Sequence, residues 1–184
     1  MVTECLRPAP DFNLINKDLS LSPRRRAGIE NFLTDSARDL LTEARQMAND
    51  TGSESVDGEH FLRAMISQKD SVGRMVLVAG GIDPFKVDEA MQYIVLMHTD
   101  QTNVRPLNVD LELSSSMQDC MDIAVEESRQ MGTRHVGTHH VLLALSRQKG
   151  ELAQEMLESL GFDPQRLQGS VQDIVASFPR SSLA

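Results

Sequence analysis

Apolar residues recur every three or four positions in two long segments of the chain, and this spacing predicts amphipathic helices. The apolar stripe of the first segment consists of Ala37, Leu40, Leu41, Ala44, Met47 and Ala48. The stripe of the second segment consists of Met117, Cys120, Met121, Ala124 and Ser128. Thr34 is the predicted N-cap of the first helix, and Gly52 and Gly132 are the predicted ends of the two helices.

Three shorter helices are predicted after each long one. In the first half they begin near Gly58 and span roughly 71–80 and 84–98. In the second half they begin at Thr138 and span roughly 151–160 and 164–178. Thr138 is the predicted N-cap of its helix, and Gly58 is a weaker N-cap at the equivalent position. The tetrapeptides Gly81-Ile82-Asp83-Pro84 and Gly161-Phe162-Asp163-Pro164 mark the junctions before the last helix of each half. Their Gly suits a positive φ after a helix, Asp suits an N-cap and Pro suits a first helical position. The alternation over 109–113 is too short to predict a strand.

The two halves are copies of one unit. Val56-Asp57-Gly58-Glu59-His60 returns 80 positions later as Val136-Gly137-Thr138-His139-His140, and the same offset aligns the Gly-x-Asp-Pro junctions without a gap. We therefore predict an all-α fold of eight helices, built as two four-helix repeats that are related by a pseudo-twofold axis. The predicted boundaries are a mostly irregular extension over 1–31, repeat 1 over 32–98, a linker over 99–113, repeat 2 over 114–178 and a tail over 179–184.

Composition narrows the class of protein. A formal net charge of −9 argues against a general nucleic-acid binder, because affinity for the phosphate backbone comes from clustered Lys and Arg. No apolar run approaches the length of a membrane span, and the N-terminus lacks the pattern of a secretory signal. The presence of only two cysteines, Cys5 and Cys120, argues against a disulfide framework and favours a reducing cytoplasm, with the plastid stroma as the alternative location.

The repeated motifs resemble a known family, the N-terminal Clp repeat domain of the AAA+ Clp unfoldases. The second copy matches it with Ala124–Ser128, Val136–His140, Leu142–Leu145 and Leu157–Asp163. The first copy matches it with Leu33–Ala37 and with the altered segment Val56–His60. The resemblance covers about residues 32–178 and implies two tandem four-helix repeats.

The sequence contains no G-x-x-x-x-G-K-[ST], so it lacks the phosphate-binding loop of the Clp ATPase module. The resemblance therefore implies a non-enzymatic, stand-alone binding module that docks substrates, adaptors, or Clp ATPase or protease subunits. One alternative is that the chain is the N-terminal domain of a longer ATP-dependent unfoldase. A second alternative is a helical nucleic-acid-binding regulator, against which the negative charge counts. No catalytic motif is present, and no cofactor, membrane or nucleic-acid partner is predicted.

The candidate binding residues lie at the starts of the second helix of each repeat. They are Glu59, His60, His139, His140, Asp57 and Thr138. Helix starts present free N–H groups, which suit an anion or a carbonyl oxygen. In some relatives the Glu of V-G-T-E-H receives phosphorylated arginine. Here Asp57 adds a repelling charge beside Glu59, and His139 stands in the place of that Glu, so neither copy of the motif is intact. The resemblance leaves phosphoarginine as an alternative ligand that these changes count against.

Two alternatives remain open at these residues. His135, His139 and His140 invite a metal site, but no carboxylate or cysteine at ligand spacing completes the set. The equivalence of His60 and His140 by repeat favours a structural role instead, in which these residues only cap and steady their helices.

Overall fold

The computed structural model describes residues 23–98 and 110–177 of the 184-residue chain. Within these ranges, eight α-helices follow one another in two sets of four. The first repeat contains α1 (Asp35–Asp50), α2 (Gly58–Ser67), α3 (Val72–Ala79) and α4 (Pro84–His98). The second repeat contains α5 (Ser115–Gln130), α6 (Thr138–Arg147), α7 (Leu152–Ser159) and α8 (Pro164–Ser177). The described residues contain no regular β-sheet, and the predicted all-α fold is confirmed.

Hydroxyl side chains cap the first helix of each repeat. The Oγ1 atom of Thr34 accepts a hydrogen bond from the N–H of Ala37 at 3.2 Å, as the sequence predicted. In the second repeat the Oγ atom of Ser114 accepts one from the N–H of Met117 at 3.1 Å. The caps are equivalent under the offset of 80, so the two long helices begin in the same way.

Both glycines and the first Asp of the Gly-x-Asp-Pro junctions adopt their predicted geometry. Gly81 and Gly161 follow α3 and α7 with φ angles of 88° and 83°, a conformation that is strained for any residue with a β-carbon. Asp83 then caps α4 by accepting a hydrogen bond from the N–H of Phe85 at 3.0 Å. The tetrapeptide therefore ends one helix and begins the next within a few residues.

Two short backbone pairings join the repeats. Leu33 pairs with Val136, and Leu113 pairs with Val56, each as a single parallel bridge. The backbone of Val136 bonds to both neighbours of Leu33 at 2.8 and 3.0 Å, and that of Val56 bonds to both neighbours of Leu113 at 2.9 and 3.1 Å. The bridges are counterparts under the repeat, which is what a pseudo-twofold axis requires. They place the start of α1 beside the start of α6, and the start of α5 beside the start of α2.

Helix α3 packs mainly on the other repeat, against α6 and α8, while α7 packs against α2 and α6. Val76 and Leu77 of α3 are fully buried, and a β-carbon at Gly80 would lie 3.0 Å from the ring of Phe162. Packing between the repeats therefore explains why α3 is so apolar, and only Val78 leaves about half of its surface exposed.

The last residues of the extension, which was predicted to be mostly irregular over 1–31, form a short helix. Pro23–Phe32 forms a 3₁₀ helix, because Ile29 and Phe32 pack on the core and Glu30 accepts a hydrogen bond from Arg45 at 3.2 Å. The rest of the extension (1–22), most of the linker (99–109) and the predicted tail lie outside the described residues. Within the described part of the chain, no helix combines the length and apolarity that a membrane span needs.

Candidate functional site

His60 and His140 each fasten the start of the helix that carries them. The Nδ1 atom of His60 accepts a hydrogen bond from the N–H of Asp57 at 3.0 Å, and that of His140 accepts one from Gly137 at 2.8 Å. The N-caps are therefore Asp57 and Gly137, one residue before the positions that the sequence indicated. Because Nδ1 is the acceptor, the proton of each neutral ring lies on Nε2.

The Nε2 atoms of the same rings are also engaged. That of His60 lies 3.0 Å from the hydroxyl of Ser53, and that of His140 lies 3.2 Å from the hydroxyl of Thr133. Burial lowers the pKa of both rings, and for His140, where the neighbouring His139 adds to the effect, the pKa falls to about 2. Both rings are neutral near pH 7, and a ligand of either ring would have to displace one of these bonds.

Thr138 joins the two repeats instead of capping α6. It is the first residue of that helix, and its hydroxyl accepts a hydrogen bond from the N–H of Gly73 in α3 at 2.9 Å. The prediction that Thr138 is the N-cap is wrong, because the hydroxyl points to the other repeat. At the equivalent position, a β-carbon on Gly58 would lie 2.9 Å from the side chains of both Ala153 and Leu145, so only glycine fits there without movement.

Acidic groups dominate the start of α2. Burial raises the pKa of Glu59, and the charges of Asp57 and Glu151 raise it further, against a hydrogen bond to its own backbone N–H. Possible ligand atoms of Asp57, Glu59 and His60 lie within 4.8 Å of one another. The histidine has no free lone pair, however, because Nδ1 accepts a backbone hydrogen bond and Nε2 carries the proton. The two remaining carboxylates lack the nitrogen or sulfur ligand that transition metals prefer, so they suit a cationic group better than a transition metal.

His139 is the unusual member of the set. Its side chain is only 4% exposed, and neither ring nitrogen has a hydrogen-bond partner. Its ring centroid lies 3.9 Å from that of His140, with the planes inclined by 42°. Burial lowers the pKa of His139 to about 4. The residue that stands in the place of Glu59 is thus a neutral, buried imidazole with unused hydrogen-bonding capacity.

A pocket of about 220 Å³ opens beside His139, between the two repeats. It is lined by Thr34, Asp35, Ser36, Val72, Thr133, His135, Gly137, Thr138, His139 and His140. The starts of α1 and α6 both face it, because the bridge between Leu33 and Val136 holds them side by side. N–H groups in the first turn of a helix have no acceptor within that helix, so both helix starts offer donors to the pocket. The wall contains no lysine or arginine, and Asp35 is its one acidic residue. We call it the His139 pocket.

The structure divides the predicted site residues between two places. Thr138, His139 and His140 line the His139 pocket, whereas Asp57, Glu59 and His60 belong to the equivalent helix start in the other half of the pseudo-twofold. The predicted set missed Thr34, Asp35 and Ser36, which contribute the opposite wall. The N-cap at Thr34 was a usable signal for a helix start, but nothing in the sequence places that start next to α6.

Comparison with known proteins agrees with this architecture. The family model for the Clp repeat (R) N-terminal domain matches residues 32–160. The chloroplastic chaperone protein ClpC1 of Oryza sativa subsp. japonica is 27% identical over 146 residues, which are 79% of this chain and 15% of that protein. The chain thus spans less than a fifth of the length of this relative.

Solved structures share the fold. The N-terminal domain of the chaperone ClpD from Arabidopsis thaliana superposes with a TM-score of 0.65 at 20% identity, covering 81% of this chain and 97% of that one. The N-domain of ClpV in complex with a VipB peptide superposes with a TM-score of 0.64 at 19% identity, covering 82% and 91% of the two chains.

Proposed function

Because the chain belongs to the Clp repeat N-terminal domain family, we propose that it is a non-enzymatic protein-binding module of the Clp chaperone and protease system. It docks substrates, adaptors, or the Clp ATPase or protease subunits themselves. The observation that carries the proposal is the His139 pocket, where two helix starts and an unpartnered buried histidine surround a cavity large enough for a side chain. The complex of a ClpV N-domain with a VipB peptide supports it, because that similar fold accommodates a peptide.

The ligand of this module differs from phosphoarginine. That ligand needs a carboxylate for its guanidinium and N–H groups for its phosphate. At the start of α2 the carboxylate of Glu59 is present, but Asp57 and Glu151 contribute to the raised pKa of Glu59, so they would also repel a phosphate. At the start of α6 the carboxylate is replaced by His139, which offers the guanidinium no negative charge.

A second candidate function follows from the length of the relatives. The chain spans 15% of chloroplastic ClpC1 from Oryza sativa and 17% of chloroplastic ClpC2 from Arabidopsis thaliana. It therefore also fits the substrate- and adaptor-binding domain of a longer ATP-dependent unfoldase. Immunoblotting of the native protein separates the two: a band near 20 kDa supports the stand-alone module, and a band several times larger supports the domain.

Binding is tested with a purified Clp ATPase and protease complex from the source organism and a fluorescently labelled copy of this protein. We expect a saturable rise in anisotropy. A double variant, Glu59→Lys with His139→Ala, is expected to weaken it at least about tenfold while the protein stays folded, as shown by unchanged circular dichroism. Glu89→Lys, which reverses an exposed charge on α4, is the matched control and is expected to bind like the wild type. Equal binding by all three proteins would assign the two site residues a purely structural role.

The purified protein on its own, without the Clp complex, tests a further part of the proposal. We expect no ATP hydrolysis and no saturable ATP binding in the micromolar range, because the sequence contains no phosphate-binding loop. We propose a cytoplasmic location, with the plastid stroma as the alternative that the chloroplastic relatives favour. Imaging of the tagged full-length protein in the source cell distinguishes the two compartments.

A further inference from the structure

His139 presents a buried hydrogen-bonding side chain that the folded chain itself leaves unused. Both ring nitrogens lack a partner, although the residue is 96% buried. Buried polar groups in folded proteins are almost always paired, since leaving one unpaired costs about 1–3 kcal/mol. His140, next to it in sequence and against it in space, has both nitrogens engaged. The orphaned ring borders the His139 pocket, which indicates that its partner comes from outside the chain.

The other groups around the pocket suit a negatively charged partner. The N–H groups of Asp35 and Ser36 begin α1, and those of Thr138 and His139 begin α6. None of the four has an acceptor within its helix. Both helix dipoles direct their positive ends toward the cavity, and the hydroxyl of Ser36 adds a donor. A neutral His139 can supply one further N–H donor and, once protonated, two.

We infer that the His139 pocket binds a carboxylate of an acidic peptide, and that His139 takes up one proton from solvent as the carboxylate enters. The proton converts the neutral imidazole to imidazolium, so the bound pair carries no net charge. This inference rests on the proposed binding function and names the chemical class that the site recognises.

The charged and titratable groups around the ring favour a carboxylate over other ligands. Asp35 faces the pocket from α1, His135 faces it from the loop before α6, and His140 touches the ring within α6, whereas α3 contributes only the apolar Val72. A guanidinium has donors only and would meet the N–H groups of two helix starts. A phosphate dianion would face about twice the repulsion from Asp35 that a carboxylate faces.

Proton uptake gives the interaction a characteristic pH dependence. The pKa of His139 is about 4 in the free protein, and a carboxylate beside the ring raises it. Between the free and the bound pKa, binding absorbs a proton, so the association constant falls about tenfold for each unit of rising pH. Above the bound pKa the ring remains neutral in the complex, and the affinity no longer changes with pH.

The test follows the Cε1–H signal of His139 by two-dimensional NMR from pH 4 to pH 8, in buffers free of carboxylates and phosphate. The probe is a capped pentapeptide with one central Glu, and its twin carries Gln in that place. We expect saturating Glu peptide to raise the pKa of His139 by at least about one unit and the Gln peptide to leave it unchanged. No shift with the Glu peptide, or the same shift with both peptides, would overturn the inference. A shift with inorganic phosphate but not with the Glu peptide would overturn it in favour of a phosphate site.

Three variants of the intact chain make the test specific. His139→Gln keeps a hydrogen-bonding side chain but cannot be protonated, so its affinity for the Glu peptide is expected to change less than about twofold between pH 5 and pH 8. Ser36→Glu puts a negative charge at an exposed position of the pocket wall and is expected to weaken binding at least about tenfold. Ser116→Glu puts the same charge at the equivalent position of α5 and is expected to bind like the wild type. Equal affinities of Ser36→Glu and Ser116→Glu, with unchanged circular dichroism, would contradict a carboxylate in this pocket.

Failure of this inference is distinguishable from failure of the proposed function. If the anisotropy assay shows binding to the Clp complex while the pKa of His139 does not respond to the peptide, the carboxylate assignment is wrong and the binding function stands. If neither assay shows binding, both are wrong.

Discussion

Replacing His139 by Gln isolates the pH dependence of stability that comes from burying the imidazole of His139 in its neutral form. In the unfolded chain the ring has its ordinary pKa of about 6.5, and in the folded protein burial lowers the pKa to about 4. Between these two values the unfolded chain holds a proton that the folded protein does not hold. Acid therefore favours unfolding, and this penalty grows as the pH falls from 6.5 toward 4.

The size of this penalty on the free energy of unfolding follows from the two pKa values. At pH 8 both states are neutral and the penalty is close to zero. At pH 5 the unfolded ring lies about 1.5 units below its pKa and is almost fully protonated, while the folded ring is mostly neutral. The penalty is then about 2 kcal/mol, at about 1.4 kcal/mol for each pKa unit. His140 titrates at about pH 2 in the folded protein, so the variant leaves its own acid penalty unchanged above pH 5.

The assay compares urea unfolding of the wild type and His139→Gln at pH 5, 6, 7 and 8 in carboxylate-free buffers. The difference between the two proteins cancels the titration of the acidic residues, including Glu59, whose raised pKa acts in the opposite direction. We expect the wild type to lose about 2 kcal/mol more than the variant between pH 8 and pH 5. Parallel stability curves for the two proteins would refute the argument, because they would mean that residue 139 has the same pKa in both states.

Five further substitutions make three tests of the packing and the backbone, again by urea unfolding. Gly161→Val is expected to cost roughly 1 kcal/mol or more through backbone strain, because φ is 83° while no atom lies within 4 Å of the added β-carbon. Gly169→Ala in α8 has the same open space and is expected to stabilise the protein by up to about 1 kcal/mol. Equal effects of the two substitutions would contradict the strain argument. Gly58→Ala is expected to cost about 1–3 kcal/mol, since its β-carbon would lie 2.9 Å from side chains of the second repeat. An unchanged midpoint of urea unfolding would show that the repeats pack less closely there. Thr138→Val is expected to cost about 1–3 kcal/mol, because it leaves the buried N–H of Gly73 without an acceptor. Thr138→Ser keeps the accepting oxygen and is expected to cost less. Equal losses of stability in the two variants would contradict a role for the hydrogen bond.

The sequence by itself determined the local structure of this protein. Apolar spacing, the cap at Thr34 and the Gly-x-Asp-Pro junctions depend on contacts between residues only a few positions apart, so they can be recognised without the fold. The offset of 80 added the long-range statement that two equal units pack together. It also placed His60 and His140 in equivalent positions, and their Nδ1 bonds are indeed the same.

Only the tertiary structure decided what each residue of the repeated motif does. Thr138 and Gly58 occupy equivalent positions in the two repeats but have different roles. The hydroxyl of Thr138 accepts a hydrogen bond from the first repeat, whereas Gly58, which has no side chain, leaves room for side chains of the second repeat. His139 becomes an unpartnered buried ring because the start of α1 arrives beside it through the bridge of Leu33 to Val136. Sequence periodicity records which face of a helix is apolar but not which distant segment covers it, since that depends on the sum of many weak contacts between the repeats. The candidate site lies between the two repeats, and the repeat pattern in the sequence does not specify how the repeats pack on each other.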